Sequence, residues 1–346
     1  CWMLTCWSLN YLVFYLLIRR SLETSVLASS VGAWFFAFYS PRMAGVMHQQ
    51  LVIQFFMVIV LATVVEIARS QNRGASSTRI RVSIVLFFAA CVLQLNTAVY
   101  PLLYFALGLV AAAAVAAFSQ SGRSTIIHVF RSYPATIAAS AAGAIVAATP
   151  TILHYRDAAA AFGARPLPPH HLPKISSWLM MGDSNLLWGW LHDLSYFEWA
   201  NRSLHHNGIG VLAMVFCGFG LWLGRKRRVV QLMSVAAAAL FFITLRLPGD
   251  WSIWEPLRHL IPGGTSARAI ARVGMVLLYP AAFGVALAFD GLLSRRPLWV
   301  VLALFSPVIV EQIHRPLAYD KVTARNRVSE IANIVPRDMN AFLLTT

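Results

Sequence analysis

Apolar and polar positions fall in long blocks along this chain, not with the short period of a soluble helix or strand. Stretches rich in Leu, Val, Ala and Phe cover 1–18, 24–39, 51–68, 82–95, 101–118, 135–153, 208–223, 229–245, 267–293 and 298–313. A helix needs roughly 17–25 apolar residues to cross a bilayer. The pattern predicts an all-α, polytopic integral membrane protein with about ten transmembrane helices visible. Segments rich in Ala, at 111–117, 135–148 and 236–239, read as close-packing faces, since small residues let membrane helices approach.

The blocks between the spans differ in charge, and this sets a topology. Placing Arg19 and Arg20 in the cytoplasm puts 69–81, 119–134, 225–228 and 294–297 on the same side by strict alternation. Those are the short basic loops, as the positive-inside rule requires. The expected organisation is a transmembrane domain over 1–313, with extracytoplasmic loops at 154–206 and 246–266. An extracytoplasmic tail follows at 314–346; apolar residues at Val328, Ile331, Ala332 and Val335 give it a helical spacing. The chain opens inside an apolar stretch without Met and closes on AFLLTT, so both ends read as cut. Most acidic residues and most histidines fall in the outer segments, which places any chemistry there.

Composition narrows the reading further. The chain is 58% hydrophobic and 12% charged, beyond what a soluble core of 346 residues needs. The net charge of +15 belongs to helix ends and anionic lipids, not to nucleic acid. Cys1, Cys6, Cys91 and Cys217 all lie in apolar segments without CxxC or Cys/His spacing, so they read as buried small hydrophobes. No P-loop, GxGxxG, GxSxG or haem motif is present.

The stretch 251–274, WSIWEPLRHLIPGGTSARAIARVG, carries the most chemistry. Pro262, Gly263 and Gly264 break any preceding helix, and Thr265 or Ser266 is placed to cap the next. Arg268 and Arg272 follow four residues apart, on one face of the expected helix. A helix N-terminus with two guanidinium forks suits phosphate. The plain alternative is that both arginines snorkel to lipid headgroups. Trp254, Glu255 and Arg258 share the loop with Asp250 and His259. A carboxylate there suits a general base, or simply neutralises an arginine. His48, with Gln49 and Gln50, lies in a short outer loop and is placed to face the same cavity. Glu311, near a span end, is expected to pair with an arginine.

Loop 154–206 holds Trp178, Trp188, Trp190 and Trp199 with Tyr196 and Phe197. These suit an interfacial aromatic belt or, less simply, stacking on sugar rings. Its segment SSWLMMGDSNLLWGWL is expected to form a re-entrant or interfacial helix. The adjacent pairs His170/His171 and His205/His206, with His192 and Asp193, lack HxH, HxxxH or HExxH spacing, so no metal is assigned. Asn201-Arg202-Ser203 matches a glycosylation triplet, a pattern common by chance.

Three stretches together resemble a known group. WSIWEPLRHLIPGGTSARAIARVGMVL is similar to the loop and helix near the end of bacterial GT-C-type glycosyltransferases. FFAFYSPRMAGVMHQQL, the turn LNTAVYPLLY and the closing VIVEQIHRPL with its outer tail fit the same pattern, in order. The resemblance implies a GT-C-like helical fold in the bacterial cytoplasmic membrane, with its active side facing outward. It implies a sugar donor carried on a polyprenyl phosphate, an inverting displacement, and a glycan, lipid or protein acceptor. It implies donor-phosphate binding at Arg268 and Arg272, and a cavity-facing role for His48. The acidic catalytic residue of that group lies in a first outer loop that has no counterpart here, so no catalytic residue is assigned. Two other readings stand beside it: a non-catalytic membrane scaffold subunit, and a transporter or flippase of a lipid-linked glycan. The second would want polar residues at mid-membrane, against spans that read as largely apolar.

Overall fold

The structure is a computed structural model that describes residues 2–39, 42, 49–73, 76–162, 167, 169–194, 205–261, 264–267, 269–315 and 320–334. Side chains at 70–73, 158–162, 266 and 333–334 are outside that description, as are His48, Arg268 and the triplet at 201–203. Among the described residues the chain is helical, with no strand and a single antiparallel bridge between Asn185 and His314.

The helices are α1 (Trp2–Leu22), α2 (Val26–Phe38), α3 (Phe55–Arg73), α4 (Ser77–Thr97), α5 (Val99–Phe118), α6 (Gln120–Ser132), α7 (Pro134–Phe162), α8 (Val211–Leu223), α9 (Arg228–Thr244), α10 (Gly274–Leu293), α11 (Leu298–Glu311) and α12 (Lys321–Ile334). Several are long and apolar enough to cross a membrane: the stretches Gln49–Arg69, Ser77–Thr97, Val99–Phe118, Pro134–Asp157 and Ile270–Leu293. The chain is therefore read as membrane-embedded. Ser25, Ser76 and Ser119 cap α2, α4 and α6 by accepting backbone N–H groups of the first turn. Helix α6 falls where a basic loop was expected; it is amphipathic and buries none of its residues.

Residues 1–314 form one compact unit, built around α10. This helix packs on α8, α2 and α9, and 72% of its apolar window is buried. By contrast, only 6% of the α7 window is buried, and α7 packs mainly on α4. The α8–α10 contact depends on glycine: a Cβ on Gly220 would lie 1.7 Å from the Gly284 carbonyl oxygen. Close approach at small residues is how membrane helices gain packing where lipid is as apolar as leucine. Phe14, Phe36, Tyr279 and Phe283 interlock α1, α2 and α10.

The bundle has two unlike ends. The arginine end gathers the turns at 19–25, 69, 225–228 and 290. The loop end gathers residues 39, 42, 49–54, 97–100, 169–194, 205–212, 246–261, 264–267, 269–273 and 311–314. Residues 315–346 form a second compact unit. In it Asp320 directly precedes α12, and its carboxylate accepts from the Val322 N–H and the Thr323 hydroxyl at 2.8 and 2.6 Å.

Candidate functional site

The loop at 246–273 is folded by contacts to its neighbours, not by its own helix propensity. The Arg246 N–H donates to the Pro173 carbonyl at 2.8 Å, and its guanidinium pairs with Asp250. The Ser252 hydroxyl donates to the Ile243 carbonyl at 3.1 Å and accepts from the Trp254 N–H at 3.3 Å, which starts the single turn Trp254–Leu257. Trp254 is fully buried, with its ring 6.1 Å from that of Tyr104. Buried there, it anchors the loop.

Glu255 and Arg258 pair at 3.3 Å, so the carboxylate neutralises a neighbour within its own loop. Arg258 is itself buried. The chain then folds back: a Cβ on Gly264 would meet the Arg258 carbonyl oxygen at 2.4 Å, so the return needs glycine there.

The helix that was expected to start near Ala267 begins instead at Gly274. Before it lie two 3-10 turns, Gly264–Ser266 and Ile270–Val273. The Ala269 carbonyl accepts from the Arg272 N–H at 3.1 Å and from the Tyr104 hydroxyl at 3.4 Å. This shared acceptor holds the backbone in a tight i→i+3 turn. Thr265 and Ser266 therefore do not cap α10; its N-cap position is Val273, with no side-chain cap. Arg272 sits on the 3-10 turn, not on the helix face assigned to it. Its guanidinium lies over the Tyr100 ring, 5.1 Å from the centroid. No carboxylate pairs with it among the described residues.

Beside this loop lies a polar cluster that sequence reasoning missed. Residues Val52, Ile53 and Gln54 are buried and non-helical, directly before α3. Irregular backbone in an apolar bundle must find its hydrogen bonds inside the protein. Side chains from three helices supply them. Asn10 of α1 donates to the Val52 carbonyl at 2.7 Å and accepts from the Gln54 N–H at 3.2 Å. Gln94 of α4 donates to the Ile53 carbonyl at 3.1 Å. Tyr279 of α10 donates to the Gln54 carbonyl at 3.3 Å. Arg42 completes the cluster: its Nη2 donates to Gln54 Oε1 at 3.0 Å, and its guanidinium lies 4.7 Å from the Phe36 ring centroid.

The second long loop is tied down by Glu311. This residue, expected to meet an arginine, instead caps α8. Its carboxylate, fully buried, accepts from the N–H groups of Leu212 and Ala213 at 3.0 and 2.9 Å and from Trp188 Nε1 at 2.9 Å. A carboxylate at a helix N-terminus is favoured by the unsatisfied N–H groups and the helix dipole. Gly210, at φ 93°, leaves room for it; a Cβ there would lie 2.5 Å from Glu311 Oε2. Asn185 adds a bond to the Glu311 carbonyl at 2.7 Å. In place of the expected re-entrant or interfacial helix stand two 3-10 turns, Ile175–Trp178 and Gly189–Asp193, joined by irregular chain, and Trp188 serves as an internal donor. Trp190 and Trp251 are exposed.

His205 and His206 are held by contacts within the loop. His205 Nε2 meets the His170 carbonyl at 2.8 Å, so that nitrogen carries the proton, and Nδ1 accepts from the Ser177 hydroxyl at 3.0 Å. Burial pulls its pKa down to about 4. His206 is likewise lowered to about 4, by burial first and by nearby His192 second. The Nε2 atoms of those two lie 3.4 Å apart. Among the described residues no group of three or more His, Cys, Asp or Glu is placed to hold a metal.

No protein family, no curated protein and no solved structure matches this chain.

Proposed function

We propose that the chain is a multi-pass membrane glycosyltransferase-like protein that takes a sugar from a polyprenyl-phosphate donor at its loop end. The observation that carries this reading is Arg272: a guanidinium held at the loop end over Tyr100, with no carboxylate partner among the described residues. Ionisable residues at membrane depth are functional suspects by default, and a lipid phosphate lies at that level. In the reaction an acceptor hydroxyl attacks the anomeric carbon, its proton passes to a base, and the bond to the phosphate oxygen breaks. The leaving phosphate gains charge, which a fixed guanidinium stabilises.

The gathering of the basic turns supports the ten-span topology, with the loop end on the extracytoplasmic face of a bacterial cytoplasmic membrane. Arg69 donates to the carbonyls of Arg20 and Ser21, and Arg227 to that of Leu22, so these turns share one end. The resemblance to GT-C enzymes supplies the donor class.

The test uses radiolabelled polyprenyl-phosphate sugars with a membrane acceptor and the purified full chain. Wild type is expected to transfer label, and Arg272→Gln to lose roughly 10- to 100-fold, the worth of a charge-assisted hydrogen bond. Donor binding without transfer by wild type would favour the scaffold reading. Neither binding nor transfer would overturn the proposal.

A further inference from the structure

Arg42 is the least explained charge in the molecule. It is 1% exposed, and its Nε and Nη1 have no hydrogen-bond partner. Only Nη2 is engaged, with Gln54. Among the described residues, the ionisable groups that face it are the Tyr39 and Tyr279 hydroxyls, and no carboxylate does so. The Tyr279 proton already goes to the Gln54 carbonyl. A guanidinium stays charged in a protein, and a buried charge without a counter-ion is strongly unfavourable. Its neighbours hold it in place: Phe36 lies against its face, and Gln54, itself fixed by Asn10 and Tyr279, orients one nitrogen. The arrangement is a fixed cation with donors to spare.

We propose that Arg42 is the seat of a monoanionic phosphate ester, bound through its Nε–H and Nη1–H groups. One guanidinium balances one negative charge, which favours a diester over a dianionic monoester. The planar donor set matches phosphate oxygens better than it matches a spherical halide. A lipid headgroup and a small soluble diester share this chemistry. The site does not depend on sugar transfer and stands or falls apart from Arg272.

The experiment uses the full chain in uncharged detergent. It is titrated with dimethyl phosphate in one arm and phosphatidylglycerol in the other, read by the shift in melting temperature. Wild type is expected to show a saturable rise, in both arms for a general diester site or in the lipid arm alone for a headgroup site. Arg42→Met is expected to weaken binding roughly 10- to 100-fold and, without ligand, to melt no lower than wild type, because an uncompensated charge has been removed. Arg42→Lys keeps the charge without the fork and should fall between; it serves if the Met variant does not fold. Equal affinity in Arg42→Met and wild type would overturn the proposal. So would the absence of any saturable shift in wild type. Loss of the shift in Arg42→Met while sugar transfer is never observed would uphold this site and reject the glycosyltransferase reading.

Discussion

The two ends of the bundle use arginine in opposite ways. At the arginine end the guanidinium groups are consumed by backbone. Arg19 donates to the Thr24 carbonyl, Arg227 to that of Leu22, and Arg69 to Ser21 at 2.6 Å. Asp290 answers from α10, accepting the Ser25 N–H at 2.8 Å. Arg69 and Arg227 complete carbonyls that α1 leaves unsatisfied at its C-terminus, and Arg19 ties down the turn that follows. At the loop end the roles reverse. Backbone groups there are satisfied by neutral amides, a phenol and one carboxylate, while Arg42 and Arg272 have no anionic partner among the described residues. Positive charge near a membrane thus has two meanings, and the partners of each side chain tell them apart.

Breaking the loop end should cost most where its single buried carboxylate works. Glu311→Ala leaves two helix N–H groups and one indole without an acceptor, and is expected to destabilise by roughly 2–5 kcal/mol. Thermal unfolding in detergent measures it. Acid should loosen the same end next. His205 and His206 have folded pKa values of about 4 against 6.5 for a free imidazole. Between those values the unfolded chain binds more protons than the folded one, so stability falls as pH drops from about 6.5 towards 4. A pH series of melting temperatures should be flat above that window and decline within it. The decline should shrink in a His205→Gln/His206→Gln variant, with a remainder from His314, whose pKa burial also lowers.

At the arginine end the expected effects are smaller. Arg227→Met removes one cap at a helix C-terminus, about 0.5–1 kcal/mol, and should leave phosphate binding untouched. Smallest of all is Glu66→Gln, which removes the exposed pair of Glu66 with Arg79 at 2.7 Å. A stability change beyond about 0.5 kcal/mol there would mean that surface pairs count for more than the contrast allows.

The all-helical, membrane-embedded character was legible because membrane crossing demands long apolar runs; of the ten spans expected, five helices among the described residues are long and apolar enough to cross, and four others are shorter apolar helices. The helix ends were less legible. Helix α10 was expected from 267 and starts at Gly274, because Tyr104, far away in sequence, shares the Ala269 carbonyl. Helix α6 was hidden in a polar stretch that buries nothing. The cluster around Gln54 left the faintest trace. Asn10, Gln54 and Gln94 are single amides inside apolar stretches, and a window average erases them. Their bonds join residues 41–44 positions apart, a separation that carries no local pattern. The useful signal was each amide taken singly, since a lone polar residue in a span needs a partner. Of the residues assigned to phosphate, Arg272 lies at the loop end as expected but on a different turn. Trp254 lies against Tyr104, a contact between loop and bundle that no local pattern announces, and Glu255 pairs with Arg258 within the loop.

The central claim is that Arg272 at the loop end binds a lipid phosphate while the arginines at the other end hold helices together. The direct measurement compares polyprenyl phosphate binding and melting temperature in Arg272→Gln and Arg227→Met, side by side with wild type. The expected result is a crossing: Arg272→Gln loses binding and keeps its melting temperature, whereas Arg227→Met keeps binding and melts lower. Equal binding in all three proteins, or a melting loss confined to Arg272→Gln, would contradict the account.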